Sequence, residues 1–274
     1  AIHAEEDEDT IVYLLGSIHI GTPDLYPFNE KLMTAFDESD ALFVEANVLD
    51  EEGMEYYVQQ AIYTDGSTLK DAVTPETYTK LEQVAELYSL PMEQLAMQKP
   101  WHISNALSLL AMDDSFGMTA EEMSMHGIDA DFLLNSLLQE KPVRELEGVK
   151  GQVDMFESLS PEAQEQSLVA MLDSILQPSE ENDAEILKQW FTNWKQGDVE
   201  AFAKSFQEMQ GEASEFDEML FGKRDEQMSQ KLIKLLEEEE GTYFVVVGAG
   251  HFLVDKSIRY HLEQNGYDVE PFYQ

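Results

Sequence analysis

Two histidines at opposite ends of the chain share one local setting, Leu15-Gly16-Ser17-Ile18-His19 and Val247-Gly248-Ala249-Gly250-His251. Each follows an apolar run of strand character, Ile11-Val12-Tyr13-Leu14-Leu15 in the first and Tyr243-Phe244-Val245-Val246-Val247 in the second. A buried strand that stops at glycine and then presents histidine delivers an imidazole to the carboxyl edge of a sheet. In open α/β folds that edge is where ligands bind. Two further strand candidates end in acid: the apolar run Ala41-Leu42-Phe43-Val44 leads to Glu45, and the short strand Pro142-Val143-Arg144-Glu145-Leu146 leads to Glu147. If these strands are parallel neighbours, His19, Glu45, Glu147 and His251 rise at one edge. Two imidazoles and two carboxylates form a donor set that zinc, manganese or cobalt accepts, with positions left for water. Such an ion lowers the pKa of its water toward about 7, and a spare carboxylate can act as general base. The same four groups could also run acid/base hydrolysis without metal. Strand alternation does not choose between Glu145 and Glu147, because both would face the same side.

The elements that must carry these residues follow α/β grammar. Residues 10–17 read as a strand, Thr22-Pro23 and Tyr26-Pro27 mark a loop, and Phe28, Leu32 and Phe36 give helical spacing over 28–38. Strand 41–44 completes a strand–helix–strand unit, which predicts parallel neighbours. The same grammar returns at about 127–152, with a helix over 129–139 before the short strand 142–146. It returns again at 242–272: strand 242–247, helix 254–265, a stop at Gly266, and a last strand over 267–272. Between these pieces, about 51–126 and 153–240 read as helical insertions, with proline in the helix starts Thr74-Pro75 and Leu90-Pro91. The expectation is one domain over 1–274, of α/β class, with a central mostly parallel sheet, a strand-end active site and large helical insertions.

Composition narrows the partners. The 274 residues include 56 acidic and 16 basic side chains, a formal charge of −40. A surface so acidic repels phosphate backbones and so excludes nucleic acid as a natural partner. The charge does not by itself identify a substrate, whether peptide or small molecule. With 43% hydrophobic residues the chain can build a core, and no apolar run approaches the roughly 20 residues of a membrane span. The absence of cysteine excludes disulfides, thiolate zinc sites and cysteine nucleophiles. The opening Ala1-Ile2-His3-Ala4, without methionine, predicts a removed signal sequence and an extracytoplasmic location. Arginine is scarce, and Arg224, at a helix start, could clamp a carboxylate or an oxyanion. His3, His102, His126 and His261 lack the strand-end setting and read as surface or packing residues.

Taken in order, Gly16-Ser17-Ile18-His19-Ile20-Gly21, Tyr26-Pro27, Val44-Glu45, Gly127-Ile128-Asp129, Leu146-Glu147, Arg224-Asp225 and Gly248-Ala249-Gly250-His251 resemble the TraB/GumN (PrgY) family over about 10–272. That family is related to the Tiki proteases that cleave Wnt proteins, and more distantly to erythromycin esterases and ChaN-like haem-uptake proteins. The resemblance implies an active site of His19, Glu45, Glu147 and His251. It adds Arg224 as a catalytic or substrate-binding residue behind them and Asp129 as a further substrate-binding candidate. In the Tiki branch it implies a divalent-metal-dependent protease, with manganese or cobalt favoured. A PrgY-type protein that sequesters peptides without cleaving them, and a metal-free Glu/His esterase, are the alternatives it carries. Asp225 departs from the pattern, since relatives commonly have asparagine after the arginine. Together with Glu145 it adds negative charge and favours a cation.

Overall fold

The structure is a computed structural model and describes residues 2–3, 10–111, 116–177, 183–209 and 215–272. The N-terminal stretch behind the expectation of a removed signal, and the side chain of His3, lie largely outside those residues. Among the described residues five strands form one sheet: β1 (Ile2–His3), β2 (Thr10–Ser17), β3 (Ala41–Val44), β4 (Val143–Glu145) and β5 (Gly241–Gly248), in the order β1-β2-β5-β3-β4. Strands β2, β5, β3 and β4 run parallel, and only the two-residue β1 is antiparallel. The α/β class and the central parallel sheet are as the apolar runs predict. β5 lies in the middle, which is why Tyr243 to Val247 read as an unbroken apolar run: both faces are covered.

Period-two alternation sorts the strand residues between two cores. Leu42, Val44, Phe244 and Val246 face Leu32 and Phe36 of the helix Glu30–Glu38 and Ile128, Phe132 and Leu133 of the helix Ile128–Leu138. Ala41, Phe43, Tyr243, Val245 and Val247 face Met228, Leu232, Leu235 and Leu236 of the helix Gly222–Glu238 and Ile258 and Leu262 of the helix Ile258–Gln264. The two expected insertions are helical. Within them Leu69, Leu81, Val84, Ile103 and Leu107 pack on Leu168 and Leu172 of the helix Pro161–Leu176, in a core separate from both sheet faces. Among the described residues no helix is long and apolar enough to cross a membrane.

Two boundaries differ from the sequence pattern. Residues 267–272 form no strand of the sheet. Val269 makes a single bridge, and Phe272 packs edge-on against the Tyr13 ring at 4.6 Å. The expected helix 254–265 begins at Ile258, where Ser257 caps it by accepting from the Tyr260 N–H. A separate short helix, Gly250–Leu253, carries His251.

Candidate active site at the strand ends

Register places the ends of all four parallel strands at one edge: Ser17 lies beside Gly248, and Val44 beside both Val246 and Glu145. The backbone then locks the segments that follow. The Ala249 N–H donates to the Ser17 carbonyl (2.8 Å), so the two Gly-x-x-His segments lie side by side, and Gly16 passes 3.0 Å under the Ala249 Cα at the point where a β-carbon would stand. On the other flank the Ile128 N–H donates to the Ile18 carbonyl (3.0 Å) and the Gly21 N–H to the Met123 carbonyl (2.9 Å). Gly127 allows this approach, because a β-carbon there would collide with the His19 carbonyl oxygen. Asp129, in the first turn of its helix, is thereby set against His19.

The side chains converge on Gly248. A β-carbon at Gly248 would stand 3.3 Å from Glu45 Oε1, 3.6 Å from His19 Nε2 and 3.7 Å from His251 Cδ2. Each imidazole is held by a carboxylate at its other nitrogen, with His19 Nδ1 2.8 Å from Asp129 Oδ2 and His251 Nδ1 2.5 Å from Asp225 Oδ1. Asp129 also accepts from the Ser17 hydroxyl. Glu45 Oε1 accepts from the Gly248 N–H (2.6 Å) and lies 3.6 Å from His251 Nε2, and its Oε2 accepts from Arg224 Nη2 (2.7 Å). Glu147 takes Arg224 in a bidentate grip, Nε at 2.8 Å and Nη2 at 2.6 Å, while Arg224 Nη1 donates to the Leu220 carbonyl. Gln152 Nε2 donates to both glutamates.

These contacts fix the charges. Burial disfavours a charged Glu45, but His251, His19 and Arg224 around it hold its carboxyl far below the usual carboxylate range. Burial pushes His251 down, and the hydrogen bonds to Asp225 and Glu45 outweigh it and lift the imidazole to about 9. The Asp225 carboxyl is raised by its burial against the pull of His251, so this pair keeps its shared proton well above neutral pH. His19 is raised to about 9 chiefly by the charge of Asp129, but its side chain is 69% exposed, so solvent screens that attraction. Partial burial would raise Asp129, and His19 and Ser17 bring it below its ordinary value.

The sequence pattern of the TraB/PrgY/gumN family matches residues 1–271. The chain belongs to this family. It is 28% identical over 182 residues to the uncharacterized protein YbaP of Escherichia coli K12, which covers 66% of this chain and 63% of that protein. It is 23% identical over 301 aligned residues to the metalloprotease TIKI1 of Danio rerio, covering 94% of this chain and 60% of the relative. A segment of 56 residues, 20% of this chain and 11% of the relative, is 43% identical to the metalloprotease TIKI2 of Xenopus tropicalis. The chain thus spans about three fifths of the length of YbaP and TIKI1. No solved structure matches it.

In this TraB-family chain the structure brings the pair His19–Asp129 and the linked set His251, Glu45, Arg224 and Glu147 together around Gly248. It separates the two glutamates that alternation could not. The chain leaves β4 at Leu146, so Glu147 turns inward to Arg224 while Glu145 stays exposed and accepts from the Asn47 N–H. Among the described residues, no group of three His, Asp or Glu side chains stands ready as it is to hold a metal ion. The donor chemistry nonetheless suits one. Two imidazoles, each anchored through Nδ1 by a carboxylate as ligating histidines commonly are, and one carboxylate oxygen face the point above Gly248. Reading the sequence did not assign Asp225 to His251 or Ser17 to Asp129. The signal for Asp225 lies in its helix, where it falls on the same stripe as the buried Met228 and Leu232.

Proposed function

We propose that the chain is a hydrolase that cleaves a peptide bond at the point above Gly248, using a divalent cation held by Nε2 of His19, Nε2 of His251 and Oε1 of Glu45. The observation that carries this reading is the convergence of those three side chains within 4 Å of one position on a glycine. Similarity to metalloproteases named TIKI1 and TIKI2 supports the peptide and the metal. When bound, the cation polarises a carbonyl and lowers the pKa of water at the site. The chain's own residues do the rest. Asp129 and Asp225 fix both imidazoles with Nε2 turned to the centre. Glu45, kept ionised by its neighbours, supplies negative charge there and holds protons too weakly to be a strong base. Arg224 spends its nitrogens on Glu45, Glu147 and a carbonyl, which makes it and Glu147 the clamp that aims Glu45. Charge balance fits the same reading: two neutral imidazoles plus one divalent cation carry the same net charge as two protonated imidazoles. Protons and cation therefore compete for the site.

The test is a peptide-library cleavage assay with manganese, cobalt and zinc in turn. Cleavage should require an added ion and fall at least about a hundredfold in Glu45→Gln, the usual scale for a group aimed at the reacting atoms. Cleavage that survives chelation, and is lost in His251→Gln, would assign the chemistry to the Glu45–His251 pair without metal. Ion binding without cleavage of any peptide would remove the hydrolase reading.

A further inference from the structure

The cluster leaves one oxygen without a partner. Asp225 has no side-chain exposure, its Oδ1 holds His251, and its Oδ2 is buried with no hydrogen bond. A second unpaired atom lies on a neighbouring helix, His261 Nε2, also buried. The two helices, Gly222–Glu238 and Ile258–Gln264, pack directly on each other. Ser229, one turn after Asp225, donates to the Asp225 carbonyl (2.6 Å) and lies 3.4 Å from the Ile258 carbonyl, one turn before His261. His261 is also near enough for its charge to favour the Asp225 carboxylate, against the burial that pushes this carboxyl up. A buried donor and a buried acceptor left apart each carry a desolvation cost, and joining them removes both.

We propose that His261 is a positioning residue of the site, its Nε2–H supporting Asp225 Oδ2 through a bridging water so that Oδ1 holds His251 with Nδ1 protonated and Nε2 open to the centre. The relay runs His261, Asp225, His251, and ends beside Glu45. Its relevance to catalysis rests on the hydrolase reading above, but the contact itself can be tested without turnover. It also gives a reason for an acid at Asp225: a carboxylate can serve two imidazoles at once, whereas an amide oxygen facing His251 would turn its NH₂ toward His261.

Long-range proton–nitrogen correlation spectra of the full chain, with ions chelated, read the His251 imidazole directly. The wild type should show a downfield Nδ1 proton, as a short hydrogen bond to a carboxylate requires. In His261→Leu that resonance should move upfield and its exchange with solvent should quicken about tenfold, the factor that goes with one lost hydrogen bond. His261→Gln keeps a donor and should restore the wild-type signal. Where the leucine variant does not fold, His261→Asn, whose amide is too short to reach, gives the same reading. An unchanged His251 signal in a folded His261→Leu or His261→Asn protein overturns the proposal, as does a signal lost equally in His261→Gln. Failure to cleave any peptide would count against the hydrolase reading and leave these spectra unaffected.

Discussion

The two Gly-x-x-His segments place their imidazoles around one point and brace each with a carboxylate, yet the two ends are opposite in burial. His251 has 6% of its side chain exposed and its partner Asp225 none, whereas His19 is 69% exposed on an Asp129 that is 23% exposed. The buried end is built from the long helix Gly222–Glu238, which also supplies Arg224 to both glutamates. The open end is built from a loop-to-helix junction that passes His19 through backbone contacts at Gly127 and Ile128. The same motif therefore does two jobs. One half is a fixed electrostatic wall, and the other is open to solvent.

The largest effect should come from breaking the wall at its centre. Arg224→Met leaves Glu45 and Glu147 buried beside each other without their cation, and removing one partner of a buried ion pair costs about 3–5 kcal/mol. Chemical denaturation should show that loss, and a change below about 1 kcal/mol would mean that the glutamates find other partners. A smaller effect should separate the two histidines by pH. The folded-state value of His251 is raised from 6.5 to about 9, so its contribution to stability is complete below pH 6.5 and is lost as pH rises through about 9. Replacing it, as in His251→Gln, should flatten the fall in stability across that window. His19→Gln should flatten it less, because solvent screens the exposed pair. Equal slopes in the two variants would erase the distinction between the ends.

Much of this is legible in the amino-acid sequence. Apolar runs mark β3 and β5, which are buried along most of their length, and the strand–helix–strand order supplies the parallel pairing, so the residue after each strand has one edge to occupy. The choice of Glu147 over Glu145 was not legible, since it depends on the chain leaving β4 one residue earlier than alternation assumes. Nor was the pairing of Asp225 with His251, which requires the azimuth of a helix that reaches the sheet from a distant part of the chain. The run 267–272 differs as well: its pattern suits a strand, but only a single bridge forms there, at Val269.

The central claim is that both ends act on one centre above Gly248, and Gly248→Ala tests it most directly. The added methyl would meet Glu45 Oε1 at 3.3 Å and the two imidazoles at 3.6 and 3.7 Å, contacts that nearby side chains can absorb without unfolding but that fill the space between them. Calorimetric titration with manganese, alongside peptide hydrolysis, should show binding and turnover both reduced at least about tenfold while the thermal midpoint stays within a few degrees of wild type. A Gly248→Ala protein that binds the ion and cleaves peptide as the wild type does would contradict the shared centre.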